Sequence, residues 1–172
     1  MKKIISLVLL GSLAVFTLCG CQGTTTTVST SSSTNAEVKV DESRVYGLNE
    51  SVTVNTGTQE YTIKITGIKK TTERNQFSDI DPEEVFIIDY EYQNISGDSL
   101  YISDMDFKII DEESEIGGSY PISCTYPQDV TEGVKCKAQM ALYINNPSGN
   151  ITLQYFDNMF NSKPDVVFKI SL

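Results

Sequence analysis

Hydrophobic and polar residues alternate along most of the chain after residue 50, with the two-residue period of a strand that buries one face. The clearest case is the segment 84–93, where Phe86, Ile88, Tyr90 and Tyr92 share one face. The same alternation, or short apolar runs between polar turns, predicts further strands at 52–54, 61–65, 100–102, 107–110, 134–144, 151–155 and 166–172. No helical period continues beyond a turn or two. The pattern therefore predicts an all-β domain.

Turn-forming residues separate these segments. Asn, Gly, Asp and Ser are concentrated at 55–57, 94–99, 117–118 and 145–150. The segment 120–126 is predicted as an edge strand, because Pro121 and Pro127 cannot donate to a strand ladder. Short strands in this number, joined by polar turns, favour an antiparallel β-sandwich of about seven to nine strands over residues 41–172.

The first 20 residues have a different composition. Lys2 and Lys3 precede an apolar run at 4–16, as in a secretory signal peptide. The sequence Leu-Cys-Gly-Cys at 18–21 is typical of a bacterial lipobox, and Cys21 is the predicted lipid acceptor because the small Gly20 precedes it. A membrane-spanning helix is the alternative, but the run falls short of the roughly 20 residues that a span needs.

Residues 21–40 are predicted to form a disordered tether. They are rich in Ser and Thr and contain no pattern that could bury an apolar face. Together with lipidation at Cys21, this segment predicts a domain held at the extracytoplasmic face of a bacterial cell membrane by its lipid anchor.

Charge and composition exclude several functions. The chain has a net charge of −10, so we expect no nucleic-acid partner. It contains no histidine, which removes the commonest general base and metal ligand. We expect no cofactor and a protein that is not an enzyme. An enzyme based on paired carboxylates stays a third, weaker hypothesis.

Several segments taken in order resemble a known family. They include "YGLNESVTV" at 46–54, "EEVFIIDYEYQNIS" at 83–96 and "TEGVKCKAQMALYINNP" at 131–147. The chain resembles small bacterial lipoprotein domains of unknown function with a telokin-like, immunoglobulin-like fold, related to the immunoprotective mycobacterial extracellular antigens. The resemblance implies this fold and an extracytoplasmic setting, and it supplies no catalytic residues.

Cys124 and Cys136 are the cysteines of the predicted sandwich. An even number of cysteines outside the cytoplasm favours a disulfide, which we predict between these two. Two separate thiols, each behaving as a small hydrophobic side chain, are the alternative.

Acidic clusters suggest a weak calcium site. Asp79, Asp81, Asp104 and Asp106 are the candidate ligands, because calcium takes six to eight oxygen atoms that converging loops can supply. No segment matches the twelve-residue calcium loop, and carboxylates on solvated turns are the simpler interpretation. We therefore predict no metal.

Four tyrosines are candidates for contact with a partner. Tyr101, Tyr120, Tyr126 and Tyr143 lie outside the clearest core pattern, and tyrosine is enriched in protein interfaces. The leading hypothesis is a non-enzymatic protein-interaction module whose partner is an unidentified envelope or extracellular protein. A binder of a small ligand or of calcium is the alternative.

Overall fold

Nine strands in two sheets make up the computed structural model, which describes residues 44–172. The strands are β1 (Val45–Tyr46), β2 (Ser51–Asn55), β3 (Glu60–Thr71), β4 (Glu84–Ser96), β5 (Phe107–Ile110), β6 (Gly118–Ser119), β7 (Lys135–Ile144), β8 (Asn150–Tyr155) and β9 (Val166–Ser171). One sheet has the order β1-β9-β8-β5 and the other β2-β3-β4-β7-β6. The predicted immunoglobulin-like β-sandwich is confirmed.

The alternation of side chains explains how the two sheets pack. Inward residues of β4 and β7 are buried against those of β8 and β9, while the residues between them face outward. The largest fully buried side chains are Tyr61, Tyr90, Tyr92, Phe86, Phe168, Ile63, Ile65, Ile88, Ile102, Ile109, Leu142 and Ile144. Burial of these apolar surfaces is the main term that stabilises the sandwich.

One pair of strands departs from the antiparallel arrangement. β1 runs parallel to β9, with Val45 beside Val167 and Tyr46 beside Phe168. The rings of Tyr46 and Phe168 lie 6.0 Å apart, and the Arg44 guanidinium lies 4.8 Å from the centre of the Tyr46 ring. β1 was not predicted, because two residues are too few to show an alternation. Its partner strand is also distant in the sequence.

Two predicted strands are wrong. Around residues 100–102, the structure has only an isolated bridge between Leu100 and Val130. At residues 120–126, strand β6 has already ended at Ser119, and the chain continues as an irregular segment. Residues 120 and 125 still hydrogen-bond to β7, but between them the Ile122 N–H turns back to the Tyr120 carbonyl, so no continuous ladder forms.

A polar contact joins the two sheets within the core. The hydroxyl groups of Tyr61 on β3 and Tyr155 on β8 lie 2.9 Å apart, and Tyr61 also donates to the carboxylate of Asp157. Burial is the largest cause that raises the pKa of both phenols far above the ordinary value. Both tyrosines therefore stay neutral, and they serve as hydrogen-bonding groups of the core.

Candidate interaction surface

A second, smaller apolar cluster lies on the outer face of the five-stranded sheet. Val85 of β4, Ala141 of β7 and Tyr120 are buried together. Ile122, Cys124 and Tyr143 pack against them and are half-buried. The cluster is covered by residues 120–127, which we call the arch. This part of the sheet is therefore shielded from solvent, while polar residues such as Lys64, Glu91 and Lys137 lie further along the same outer face.

Hydrogen bonds hold both ends of the arch to β7. The Tyr120 backbone N–H donates to the Ala141 carbonyl at 2.8 Å, and the Gln139 N–H donates to the Thr125 carbonyl at the same distance. The Gln139 side-chain oxygen accepts from the Thr125 N–H at 3.2 Å. Between these two attachments, the Ile122 N–H donates to the Tyr120 carbonyl within the arch rather than to β7. The arch is thus fixed to β7 at residues 120 and 125.

The loop between β3 and β4 supports the arch from the side. The Asn75 backbone N–H donates to the Tyr120 hydroxyl at 3.1 Å, and its side-chain amide donates to the Pro121 carbonyl at 2.6 Å. Phe77, two residues further on, is 85% exposed. An exposed aromatic side chain therefore lies on a loop that is attached to the arch.

A cleft of about 280 Å³ opens beside the arch. Its lining residues are Asp104, Ser119, Tyr120, Pro121, Ile122, Cys124, Tyr126, Pro127, Gln139, Met140 and Ala141. Asp104 is the only charged residue in this set. We call this cleft the arch cleft. It combines aromatic and proline rings with one carboxylate.

A second cleft of about 260 Å³ shares Gln139 with the arch cleft. It is lined by Thr66, Asp89, Tyr90, Thr125, Lys137, Ala138 and Gln139. The Gln139 amide donates to Asp89 at 2.8 Å, so the two polar groups hold one another in place. Gly67, beside a bulge in β3, makes room for the Asp89 carboxylate, because a Cβ there would lie 3.0 Å from it.

The four candidate tyrosines occupy different environments. Tyr126 is 73% exposed and lines the arch cleft. Tyr120 also lines the cleft but is buried, with Tyr143 packed edge-on against it at 6.4 Å. Tyr101 is 52% exposed and does not line the cleft. Tyr126 and Tyr101 are therefore the accessible ones, whereas Tyr120 and Tyr143 support the arch.

The structure corrects the expected disulfide. Cys124 and Cys136 are both free thiols. Cys136 faces inward from β7 into the core between the sheets, whereas Cys124 packs in the cluster on the outer face. The five-stranded sheet separates the two sulfur atoms, which is why they do not bond. Two separate thiols, the alternative from the sequence, describe this structure.

The candidate calcium ligands do not converge. Asp79 and Asp81 lie in the loop between β3 and β4, whereas Asp104 and Asp106 lie in a 3₁₀ turn before β5. The Asp106 carboxylate accepts from the Ser103 backbone N–H at 2.7 Å and caps that turn. Within residues 44–172, no group of three or more acidic, cysteine or histidine side chains could hold a metal ion.

A cluster of lysines lies on the same outer face and was not predicted. Lys64, Lys135 and Lys137 surround the Glu91 carboxylate, with nitrogen–oxygen distances of 3.2, 2.8 and 3.8 Å. The hydrogen bond from Lys135 is the main cause that lowers the pKa of Glu91. The cluster depends on the register of three strands, Lys64 opposite Glu91 and Glu91 opposite Lys137. Only the alternation on each strand was available from the sequence.

The acidic run at 111–115 also has a structural role. Asp111 and Glu115 both accept hydrogen bonds from the Asn146 amide, at 2.8 and 2.9 Å. Glu112 accepts from the Gly149 N–H at 3.0 Å and from the Asn150 amide at 2.6 Å. These carboxylates fasten the turn after β5 to the turn between β7 and β8.

The predicted lipid acceptor Cys21, the signal peptide at 1–20 and the tether at 21–40 lie outside the described residues. Among residues 44–172, no helix is long and apolar enough to cross a bilayer.

Comparisons with known proteins identify relatives of the fold. No family model matches the chain, and no curated protein matches its sequence. The secreted protein MPT63 of Mycobacterium tuberculosis has a similar structure, with a TM-score of 0.55 and 13% identity. The match covers 76% of this chain and 99% of MPT63.

The ycdA protein of Bacillus subtilis, a candidate lipoprotein, is also similar. Its TM-score is 0.53 and its identity is 16%, over 66% of this chain and 38% of that protein. This chain therefore matches well under half of the Bacillus protein. Both likenesses establish a shared sandwich fold, and the first agrees with the fold that the resemblance to mycobacterial antigens implied.

Proposed function

We propose that this protein is an extracytoplasmic lipoprotein whose sandwich is a non-enzymatic protein-interaction module. The arch carries this proposal, because exposed Tyr126 lines its cleft and the loop bonded to it carries the exposed Phe77. Aromatic side chains beside a cleft are typical of the energetically important positions in protein interfaces. The structural relatives, a secreted protein and a candidate lipoprotein, support the extracytoplasmic setting.

The rigid support of the arch also favours binding. Both of its ends are hydrogen-bonded to β7, and the loop that carries Phe77 is bonded to Tyr120 and Pro121. A surface that is already ordered loses less conformational entropy when a partner binds. The arch therefore suits recognition better than the freely solvated side chains of the opposite sheet.

Site-specific photocrosslinking in cells tests the interaction. A photoreactive amino acid replaces Tyr126 in the full chain, and a matched variant carries it at Lys169, which is exposed on β9 in the other sheet. We expect a reproducible protein adduct from position 126 that position 169 does not form. Equal adducts from both positions, or none from either, would contradict the proposal.

Lipid attachment is tested separately. Cells grown with an alkyne analogue of palmitate should label the wild-type chain and a Cys19→Ala variant, but not Cys21→Ala. Label that persists in Cys21→Ala would show that the lipid is attached elsewhere, and no label in the wild type would show that the anchor is absent. Loss of the position-126 adduct in Cys21→Ala would in addition place the partner at the membrane.

Binding of a small ligand is a second candidate function. The arch cleft, at about 280 Å³, lies at the lower end of the volumes that small-molecule sites have. A ligand that occupies it would raise the melting temperature of the folded chain. A melting screen of small organic compounds, with Tyr126→Ala as the control, distinguishes this function from protein binding.

A further inference from the structure

The arch cleft has the chemistry of a site for an organic cation. Asp104 contributes the one charged side chain of its lining, and its carboxylate makes no hydrogen bond in the 3₁₀ turn, unlike that of Asp106. The rings of Tyr120 and Tyr126 line the same space. An aromatic face attracts a cation, and a nearby carboxylate adds a direct Coulombic attraction.

Negative charge dominates the surroundings of the cleft. Burial is the main cause that raises the pKa of the Cys124 thiol, and the carboxylates of Glu73, Asp104 and Asp89 raise it further. The thiol lines the cleft together with Asp104, and Asp89 lines the neighbouring cleft.

Two basic residues on adjoining segments are already engaged. Arg74 donates to the backbone carbonyls of Thr71 and Glu73, at 3.1 and 3.0 Å. Lys137 lines the neighbouring cleft and interacts with Glu91 at 3.8 Å. Neither residue lines the arch cleft, and its lining contains no basic side chain from the described residues 44–172.

We propose that the arch cleft binds a lysine or arginine side chain of a partner protein. This inference rests on the proposed function and names the chemistry of the partner. The apolar stem of such a side chain would lie along Ile122 and Pro127, and its charged end would lie between Asp104 and the Tyr126 ring. The net charge of −10 steers a basic partner toward the whole molecule.

Protection of Cys124 from alkylation measures this binding directly. The full chain in detergent is treated with iodoacetamide, and mass spectrometry follows the peptide that contains Cys124. The probe is N-acetyl-lysine methylamide at millimolar concentration. N-acetyl-norleucine methylamide, which has a similar stem but no charge, is the matched control.

We expect the lysine probe to slow alkylation of Cys124 at least about threefold more than the norleucine probe does. The charged end of the lysine probe gains a cation–π contact and an attraction to a carboxylate, which the norleucine probe lacks. Asp104→Asn should remove most of this difference. Glu132→Gln, which removes an equal charge from an exposed turn outside the cleft lining, should leave it unchanged. Circular dichroism confirms that the variants are folded.

Equal protection by both probes would overturn the proposal, because the cleft would then be only an apolar groove. No protection by either probe, or protection that survives Asp104→Asn, would overturn it too. These failures differ from failure of the interaction module. A partner captured at position 126 without any effect of the lysine probe would leave the module intact and remove the cation site.

Discussion

The two faces of β7 differ in what they contribute to the molecule. Its inward residues, from Cys136 to Ile144, are all buried in the core between the sheets. Its outward residues divide into an apolar half, Ala141 and Tyr143 beneath the arch, and a polar half, Lys137 and Gln139. The inner face therefore specifies the fold, whereas the outer face combines a small supporting cluster with polar groups that bond to the neighbouring strand and to the arch.

The largest expected effect is on the inner face. Leu142→Ala removes a fully buried side chain and leaves a cavity, so we expect the free energy of unfolding to fall by about 2–5 kcal/mol. Lys137→Ala, five residues earlier and 80% exposed at its side chain, should change it by no more than about 0.5 kcal/mol. Urea denaturation followed by circular dichroism measures both. Similar losses in the two variants would contradict the division between the faces.

A steric change beside the arch comes next. A Cβ on Gly117 would overlap the Tyr143 carbonyl oxygen, which belongs to the backbone of β7 and cannot move freely. We expect Gly117→Ala to cost about 1–3 kcal/mol. It should also speed alkylation of Cys124, as the chain leading into β6 and the arch shifts.

Gly149→Ala is the matched control for Gly117→Ala. Its new Cβ would meet only the Glu112 carboxylate, at an ordinary contact distance of 3.8 Å. The stability and the Cys124 alkylation rate should both match the wild type. An unchanged rate in Gly117→Ala would show that the arch does not depend on this junction.

A smaller effect is expected from one hydroxyl group of the arch. Tyr120→Phe deletes the acceptor of the Asn75 backbone N–H while leaving the ring in its cluster, and should cost about 1 kcal/mol. Tyr126→Phe, on the exposed ring, should have no measurable effect. Thermal denaturation compares them. If both variants behave as wild type, the contact between the loop and the arch does not contribute to stability.

The smallest expected effect concerns Glu91. Glu91→Gln weakens three lysine contacts on a polar face and should cost no more than about 1 kcal/mol at pH 7. The folded-state pKa of Glu91 is lowered, so its stabilisation is present above the ordinary value of 4.5 and is lost as the pH falls through the folded value. Urea denaturation should show a larger difference from wild type at pH 7 than at pH 3.

The alternation of residues predicted the sheets because burial on one face requires it. The inward positions of β4 and β7 were assigned correctly, since each strand is long enough to show several periods. β1 was missed because two residues show no period, and its parallel pairing with β9 joins the opposite ends of the domain. Local pattern contains no information about such a distant partner.

The candidate site was harder to predict because it depends on register and on an irregular segment. The parity of β7 placed Cys136 inward, but nothing local showed that residues 120–127 cross to the outer face with Cys124. Nothing local showed, either, that the Tyr120 ring is buried in the apolar cluster on the outer face. Tyr126 could be identified from its residue type and turn-rich context alone, and it is the accessible one of the two tyrosines in the cleft.

The short parallel pairing of β1 has a mechanical consequence. Tension on the chain ahead of residue 44 is transmitted first to β1, which is held to β9 over only two residues. Peeling residues 45–48 would extend the chain by about 13 Å, at 3.3–3.6 Å per residue. The load would then reach Asn49, whose backbone N–H donates to the Ile65 carbonyl at 2.8 Å. The edge of the sandwich can thus lengthen under force while the two sheets remain packed.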